Sequence, residues 1–336
     1  MIDKEFDLGS TLVAVMSFNR GEYLLNCISS LERHLVRAKI VVFDDCSRDP
    51  NTRRILSGLS RKCEIVVRQT PVSDGSLGGL YVNMNRAMEV AFERGLNYVL
   101  FVQDDQQVVR SVDERLTAEI RAIFRHDSAI AHIHPTFVKG YTAVQEIRQF
   151  SVVDDLCYLW PDGSDGDTGL VDLRRMKAAG FRYSNHAYIS KSDALARGLK
   201  LAVLRNPFLM YTPWPQTIRP LGWKGRALAA INHWGVNAGC NPFCDMDAAA
   251  VRRLLERPIG ELPVADVFLR THKKLKQPWF YSTSFDRQKI LSMKELLTLR
   301  WIFDGSCEYM DYCKLLSDED WRHLGLRRPL LNRLIG

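Results

Sequence analysis

The chain predicts an α/β fold, a mixed and mainly parallel sheet flanked by helices, and three observations carry that prediction. Short apolar, β-branched runs alternate with stripes of helical period through residues 11–105, the pattern of an open sheet with right-handed crossovers. Two of those runs, "VVFDD" and "VLFVQDD", end in adjacent aspartates, and open α/β sheets bind ligands beyond the carboxyl ends of their strands. Composition agrees, since 336 residues that are 46% hydrophobic can bury a substantial core.

The elements follow in order. "TLVAVMS" (Thr11–Ser17) is short, apolar and bounded by a turn, as a central parallel strand should be. Leu24, Cys27, Ile28, Leu31 and Leu35 then recur on one helical face. "KIVVFDD" is the second strand, and Asp49 before Pro50 marks a helix start, a capping carboxylate followed by proline at the first helical position. Ile55, Leu56 and Leu59 form that helix's buried side, and "CEIVVRQT" is a third strand. "SDGSLGG" is a turn, and Leu80, Met84, Ala87, Met88 and Ala91 make another helical stripe that stops at Gly95. "NYVLFVQDD" is the fourth strand, a helix runs from Val112 to His126, and "SAIAHIH" is a further strand. From Gly140 the pattern becomes irregular, with "WPDGSDGDTG" as a loop and a helical stretch over Leu173 to Ala179. "CDMDAAAVRRLLER", capped by Asp245 or Asp247, and "PVADVFLRTHKKL" both predict helices.

The net charge of +7 suits nucleic acid, an anionic membrane surface or phosphorylated small molecules. No nucleic-acid signature accompanies it, and the aromatics fall in core segments rather than among basic residues. The start "MIDKEFDLGS" lacks a basic stretch followed by an apolar run, and no apolar run approaches the ~20 residues of a membrane span; a cytoplasmic protein is expected. Eight cysteines without CxxC spacing predict reduced thiols, and neither Cys240 with Cys244 nor Cys307 with Cys313 has a matching pair for zinc.

Four segments, "VMSFNRGEYLLNCISSL", "VVFDDCSRD", "NMNRAMEVA" and "YVLFVQDDQ", occur in an order that resembles the family 2 glycosyltransferases of the GT-A (Rossmann-like) fold. That family's pattern is a strand ending in T-x-Y/F-N/K-R, a V-V-D-D-G-S-x-D strand end, an A-x-N-x-x-x-x-A helix and an acidic D-D or D-x-D. The resemblance implies a nucleotide-sugar-binding core over residues 8–135, with an acceptor-binding and catalytic-base region and a C-terminal helical extension over 136–336. It implies transfer of a sugar from a nucleoside-diphosphate donor to a hydroxyl of a carbohydrate or lipid-linked acceptor, with inversion, in polysaccharide or glycolipid assembly. Asp45 and Asp44 fall where the nucleoside is bound; Ser17, Phe18, Asn19, Arg20 and Asn85 fall at other donor-side positions, with Phe18 lining the base pocket. Asp105 falls where Mn²⁺ or Mg²⁺ is held and Asp104 beside the sugar, although Gln103 stands where many relatives have the first acid. The catalytic base, within E-D-x-x-L-x-x-R in the family, is best matched by Asp266 in "VADVFLR", with Arg270 one turn later and Ala265 in place of the preceding acid. Asp172, Asp167 and Glu261 are reserves.

The residues themselves support parts of this and leave alternatives open. A carboxylate at a strand end accepts hydrogen bonds from ribose hydroxyls or a base N–H. Two carboxylates approach a diphosphate through a hard divalent cation. Against this, Asp44 or Asp45 could close an Asx turn, Asp49 could serve only as a helix cap, and Asp104 and Asp105 could cap the next helix at a solvated strand end. Asp266 and Arg270 could be a surface ion pair. His132 and His134 share a strand face and could bind a metal with His233 or His272, or simply pack. Arg20, Arg48 and Arg68 lie near strand ends, within reach of a diphosphate or facing solvent. "DGSDGDTG" lacks the EF-hand spacing and predicts a mobile acceptor loop. The terminal "WRHLGLRRPLLNRLIG" suits either peripheral contact with an anionic membrane or a packed segment. No G-G-x-G-T-R loop supports a nucleotidyltransferase and no G-x-G-x-x-G an NAD-dependent oxidoreductase. A non-catalytic nucleotide- or carbohydrate-binding protein on a degenerate fold of this kind is the alternative.

Overall fold

The computed structural model describes residues 6–69, 79–139, 151–160, 166–215, 239–275 and 279. The predicted strands and helices alternate as expected: β1 (Thr11–Ser17), α1 (Gly21–His34), β2 (Lys39–Asp44), α2 (Pro50–Leu59), β3 (Glu64–Val67), α3 (Leu80–Glu93) and β4 (Tyr98–Gln103). After them come β5 (Gln106–Val108), α4 (Glu114–His126) and β6 (Ile130–His134). β1 pairs in parallel with β2 on one side and β4 on the other, and β3 lies outside β2.

Alternation along each strand sends side chains to two faces. Val13, Val15 and Val42 pack against Leu24, Ile28 and Leu31 of α1, with α2 and α4 completing that layer. Leu12, Ala14, Met16 and Phe43 pack on the opposite side against Leu80, Met84 and Ala87 of α3. The sheet is thus covered by helices on both faces, which is why β1 at its centre is buried at every position.

The region beyond residue 140 departs from the irregular pattern the sequence suggests. Among the described residues it adds five strands: β7 (Ser151–Val153), β8 (Cys157–Trp160), β9 (Gly169–Asp172), β10 (Lys200–Leu204) and β11 (Leu209–Tyr211). Each has three to five residues, too short for a two-residue period to stand out. The main sheet has the order β3-β2-β1-β4-β9-β6-β10-β8-β7, while β11 pairs with β5 in a two-stranded ribbon. β9 inserts antiparallel between β4 and β6, so the sheet is mixed.

The later helices are α5 (Leu173–Ala178), α6 (Ala187–Ala196), α7 (Ala248–Glu256) and α8 (Ala265–Phe268). Asp247, not Asp245, caps α7 by accepting the Ala250 N–H at 2.8 Å. "PVADVFLRTHKKL" forms only the four residues of α8; Leu269 is extended, with φ −103° and ψ 160°. Among the described residues no helix is long and apolar enough to cross a membrane. His233, the cysteines Cys307 and Cys313, the C-terminal basic segment, most of the loop "SDGSLGG" and half of "WPDGSDGDTG" lie outside the described residues.

Candidate active site

The carboxyl ends of β2 and β4 flank that of β1. The Asp45 N–H donates to the Ser17 carbonyl and the Asp104 N–H to the Met16 carbonyl, both at 2.9 Å. Two aspartate pairs therefore stand on one rim, two strand spacings or about 10 Å apart. All four side chains are buried, so each needs a compensating partner.

In the first pair the two aspartates divide the work. Asp44 accepts from the Ser47 N–H at 2.8 Å and the Ser47 hydroxyl at 2.6 Å, closing the Asx turn after β2. Burial pushes its carboxyl up, and the Ser47 bonds pull it back. Asp44 thus closes a turn, the alternative that the sequence left open for it. Asp45 instead faces the start of α3. It accepts from Arg68 Nη1 at 3.0 Å and makes a short hydrogen bond to the Gly79 N–H. The N-terminus of α3 and one guanidinium thus meet its charge. A Cβ at position 79 would meet the Asp45 carboxylate and the Arg68 guanidinium, so any other residue there would have to displace them. Gly79 and its amide were not identified from sequence, where "SDGSLGG" reads as a plain turn.

The β1–α1 turn is pinned to the β2–α2 turn. Asn19, at φ 52°, accepts the Arg48 and Asp49 N–H groups at 2.7 and 3.0 Å, and its own N–H donates to Ser47 Oγ at 2.8 Å. Asp49 caps α2 through Thr52. The Gly21 N–H donates to Thr52 Oγ1 at 2.9 Å, and a Cβ on Gly21 would lie 2.9 Å from the Thr52 Cα. Asn19 thereby joins the two turns, and the Asn85 amide bonds both the N–H and the carbonyl of Tyr183 at 3.0 and 2.8 Å.

The second pair is balanced differently. Asp104 accepts the Phe18 N–H at 3.0 Å, which places Phe18 half-buried on the rim. Arg20 makes a short ion pair with Asp105 and lies 3.6 Å from Asp104 Oδ1. Burial pushes the Asp104 carboxyl up to about 7, Arg20 opposing and the neighbouring Asp105 adding to the rise. The Asp105 carbonyl accepts from both the N–H and the hydroxyl of Thr212, at 2.8 and 3.1 Å, fixing the residue after β11 beside it.

This donor chemistry suits a hard divalent ion: two adjacent buried carboxylates with oxygen ligands only, to be completed by phosphate and water. Among the described residues no group of three or more His, Cys, Asp and Glu could cage a metal alone. His132 and His134 are engaged elsewhere, with the Thr168 carbonyl and Thr136 Oγ1, each at 2.8 Å. Burial first, then His132 and Lys139, push the His134 ring down to about 3, which keeps it neutral. His272 Nδ1 lies 3.5 Å from Cys244 Sγ.

The residues expected from the second half are scattered. Asp172 caps α5 and pairs with Arg174 and Arg175 at 3.3 and 3.4 Å. Because β9 runs antiparallel, Asp172 sits opposite Tyr98, at the far end of β4 from Asp104, about 20 Å along the strand. Asp167 lies nearer, because its carbonyl accepts from Gln103 Nε2 at 2.8 Å. Glu261 is exposed and belongs to the turn after α7. Asp266 Oδ1 accepts the Trp279 N–H at 3.0 Å. Arg270 lies beyond α8 rather than on its face, and pairs with Asp247 at 2.6 Å.

The sequence model of glycosyl transferase family 2 matches residues 12–164. That stretch, a little under half of the chain, is similar to the family 2 glycosyltransferases. Both aspartate pairs of the rim fall within it. Among solved structures, TarS of S. aureus is similar at 17% identity and a TM-score of 0.42, over 73% of this chain and 42% of that one. Its residues 1–349 align with a TM-score of 0.41, at 17% identity over 73% of this chain and 69% of that one. The mannosyltransferase PcManGT from Pyrobaculum calidifontis, solved with GDP-Man and Mn²⁺, aligns at 11% identity and a TM-score of 0.41, over 67% and 61% of the two chains. The chain thus spans less than half the length of the first TarS chain it matches. No curated protein matches it.

Proposed function

We propose that this chain transfers a sugar from a nucleoside-diphosphate donor to a hydroxyl of a carbohydrate or glycolipid acceptor, with inversion at the anomeric carbon. The observation that carries the reading is the shared rim. Asp45, turned toward the N-terminus of α3, and Asp105, with Asp104 beside it, flank the end of β1. That spacing lets a nucleoside lie over β2 while its diphosphate reaches β4.

Asp45 would accept hydrogen bonds from the nucleoside, with Arg68 and the Gly79 amide holding the carboxylate in place. Asp105, with Asp104 beside the sugar, would hold Mn²⁺ or Mg²⁺. When bound, the ion neutralises charge developing on the departing diphosphate. The acceptor oxygen forms its bond to the anomeric carbon as the bond to the diphosphate breaks, and its proton passes to a carboxylate on the opposite face. Asp266 is assigned that task. The Ala265 N–H donates to the Val138 carbonyl, and the neighbouring Phe137 N–H to the carbonyl of Leu209 on β11. This links α8 to the strand that ends beside Asp105.

The test is a thermal-shift screen of UDP, GDP, CDP and dTDP with and without Mn²⁺, since a ligand of the native state raises its melting temperature by mass action. Stabilisation by one diphosphate that depends on Mn²⁺ is expected; no shift with any of the four would overturn the reading. A second reading, a binding protein without turnover, is favoured by the bond that ties Asp266 to the Trp279 N–H. Hydrolysis of the matching nucleotide sugar, lost in Asp266→Ala, would exclude it.

A further inference from the structure

Arg20 already stands where a cation is needed. It forms the ion pair with Asp105 and approaches Asp104 to 3.6 Å. The backbone on either side of it is held, by Asn19 bonding the β2–α2 turn and by Gly21 pressed against Thr52. The guanidinium, however, rides on a flexible stem, with the side chain 17% exposed, and lies 5.6 Å from the centre of the Tyr23 ring. It can therefore leave the aspartates without unfolding the turn.

Resting on the function proposed above, we propose that Arg20 is the resting counter-ion of this pair and must yield Asp105 to the divalent ion. A guanidinium and a divalent cation compete for the same carboxylate oxygen and repel one another, so the metal alone meets a partly neutralised site. A diphosphate changes the balance, because its oxygens offer the guanidinium a bidentate partner of matching geometry. Metal and nucleoside diphosphate then bind cooperatively, each helping to release what the other requires. Arg20 is a positioning residue in this scheme, acting through Asp105 in one state and through the phosphates in the other.

The experiment is a titration of free Mn²⁺ by electron paramagnetic resonance, on the wild-type protein, Arg20→Gln and Arg20→Lys, with and without the diphosphate selected by thermal shift. The wild type should bind Mn²⁺ weakly alone and at least about fivefold more tightly with the diphosphate. Arg20→Gln should bind Mn²⁺ alone about tenfold more tightly, with that coupling reduced toward unity. Arg20→Lys, which keeps a charge but not the planar fork, should keep weak binding of Mn²⁺ alone and lose part of the coupling. Unchanged or weaker binding of Mn²⁺ alone by a folded Arg20→Gln protein would overturn the inference while leaving the sugar-transfer reading intact. Should Arg20→Gln not fold, full wild-type coupling in Arg20→Lys would overturn it instead. A wild type that binds neither Mn²⁺ nor any diphosphate would overturn both.

Discussion

Two pairs of adjacent aspartates end two strands of the same sheet, yet the fold treats them in opposite ways. Around Asp44 and Asp45 it supplies hydrogen-bond donors in excess: Ser47 twice, the Gly79 amide and the Arg68 guanidinium. Around Asp104 and Asp105 the side-chain partners include the shared guanidinium of Arg20 and the Phe18 N–H. Each pair thus has one guanidinium for two carboxylates. The first is settled further by backbone and hydroxyl donors, which suits a neutral, hydrogen-bonding ligand such as a ribose or a base, whereas the second leans on a guanidinium that a further cation could replace. Identical residue pairs acquire different chemistry from what the neighbouring loops deliver.

Removing the unsettled pair's outer member should break the contrast most severely. Asp105→Ala is expected to lower nucleotide-sugar turnover by about a thousandfold, the scale of losing a principal stabiliser of developing charge, and to abolish Mn²⁺-dependent thermal stabilisation. Retained Mn²⁺ dependence would show that the metal is held elsewhere. Asp45→Ala should act on binding instead, weakening the nucleoside diphosphate by about 10- to 100-fold, the worth of a hydrogen bond to a charged group. Calorimetric titration checks it. Loss of turnover at full affinity would remove Asp45 from the nucleoside site.

The pairs should also separate in their response to pH. Burial raises Asp104 to about 7, against Arg20 and with Asp105, well above the ~3.9 of an unfolded aspartate. Between those values the folded protein binds the extra proton, so this group's contribution to stability is present at low pH and is lost as pH rises toward 7. Melting temperatures from pH 4 to 8 should therefore fall less steeply in Asp104→Asn than in the wild type. Mn²⁺ binding should strengthen over the same interval, as the proton leaves. Parallel curves for the two proteins would mean that Asp104 is ionised throughout.

Much of the sheet and its acidic rim was legible in the sequence, because two apolar strands of six residues each run into a pair of acids. The partners of those acids were not. Gly79 lies 34 residues from Asp45, and no local pattern says that its amide will meet that carboxylate. Nor does the Asp44–Asp45 dipeptide reveal which member turns inward to Ser47. The second half was harder still. Strands of three to five residues escape periodicity, and the antiparallel insertion of β9 moves Asp172 to the wrong edge, a consequence of topology that spacing cannot convey.

Cys46 probes the turn beside the settled pair. It adopts φ 57° without being glycine, a left-handed conformation that costs an ordinary residue about 1–2 kcal/mol. Cys46→Gly should relieve part of that cost, offset by the greater freedom of glycine in the unfolded chain. A net gain of about 0.5–1 kcal/mol in chemical denaturation is expected, with diphosphate affinity unchanged. A loss of stability would mean that the thiol's packing outweighs the backbone strain.

The smallest effect is expected where charge pairing resembles the rim in chemistry but not in setting. Arg270 and Asp247 approach to 2.6 Å, as closely as any carboxylate and guanidinium should, yet their side chains are 69% and 51% exposed. Water screens such a pair, and ordering two exposed side chains offsets most of the attraction, so exposed pairs contribute about 0–1 kcal/mol. Asp247 would keep its bond to the Ala250 N–H, and the cap of α7 with it. Arg270→Ala should accordingly change stability by less than about 0.5 kcal/mol and leave turnover at the wild-type level. A large fall in turnover would place Arg270 in the reaction after all, and would require the segment after α8 to swing from Asp247 toward the rim.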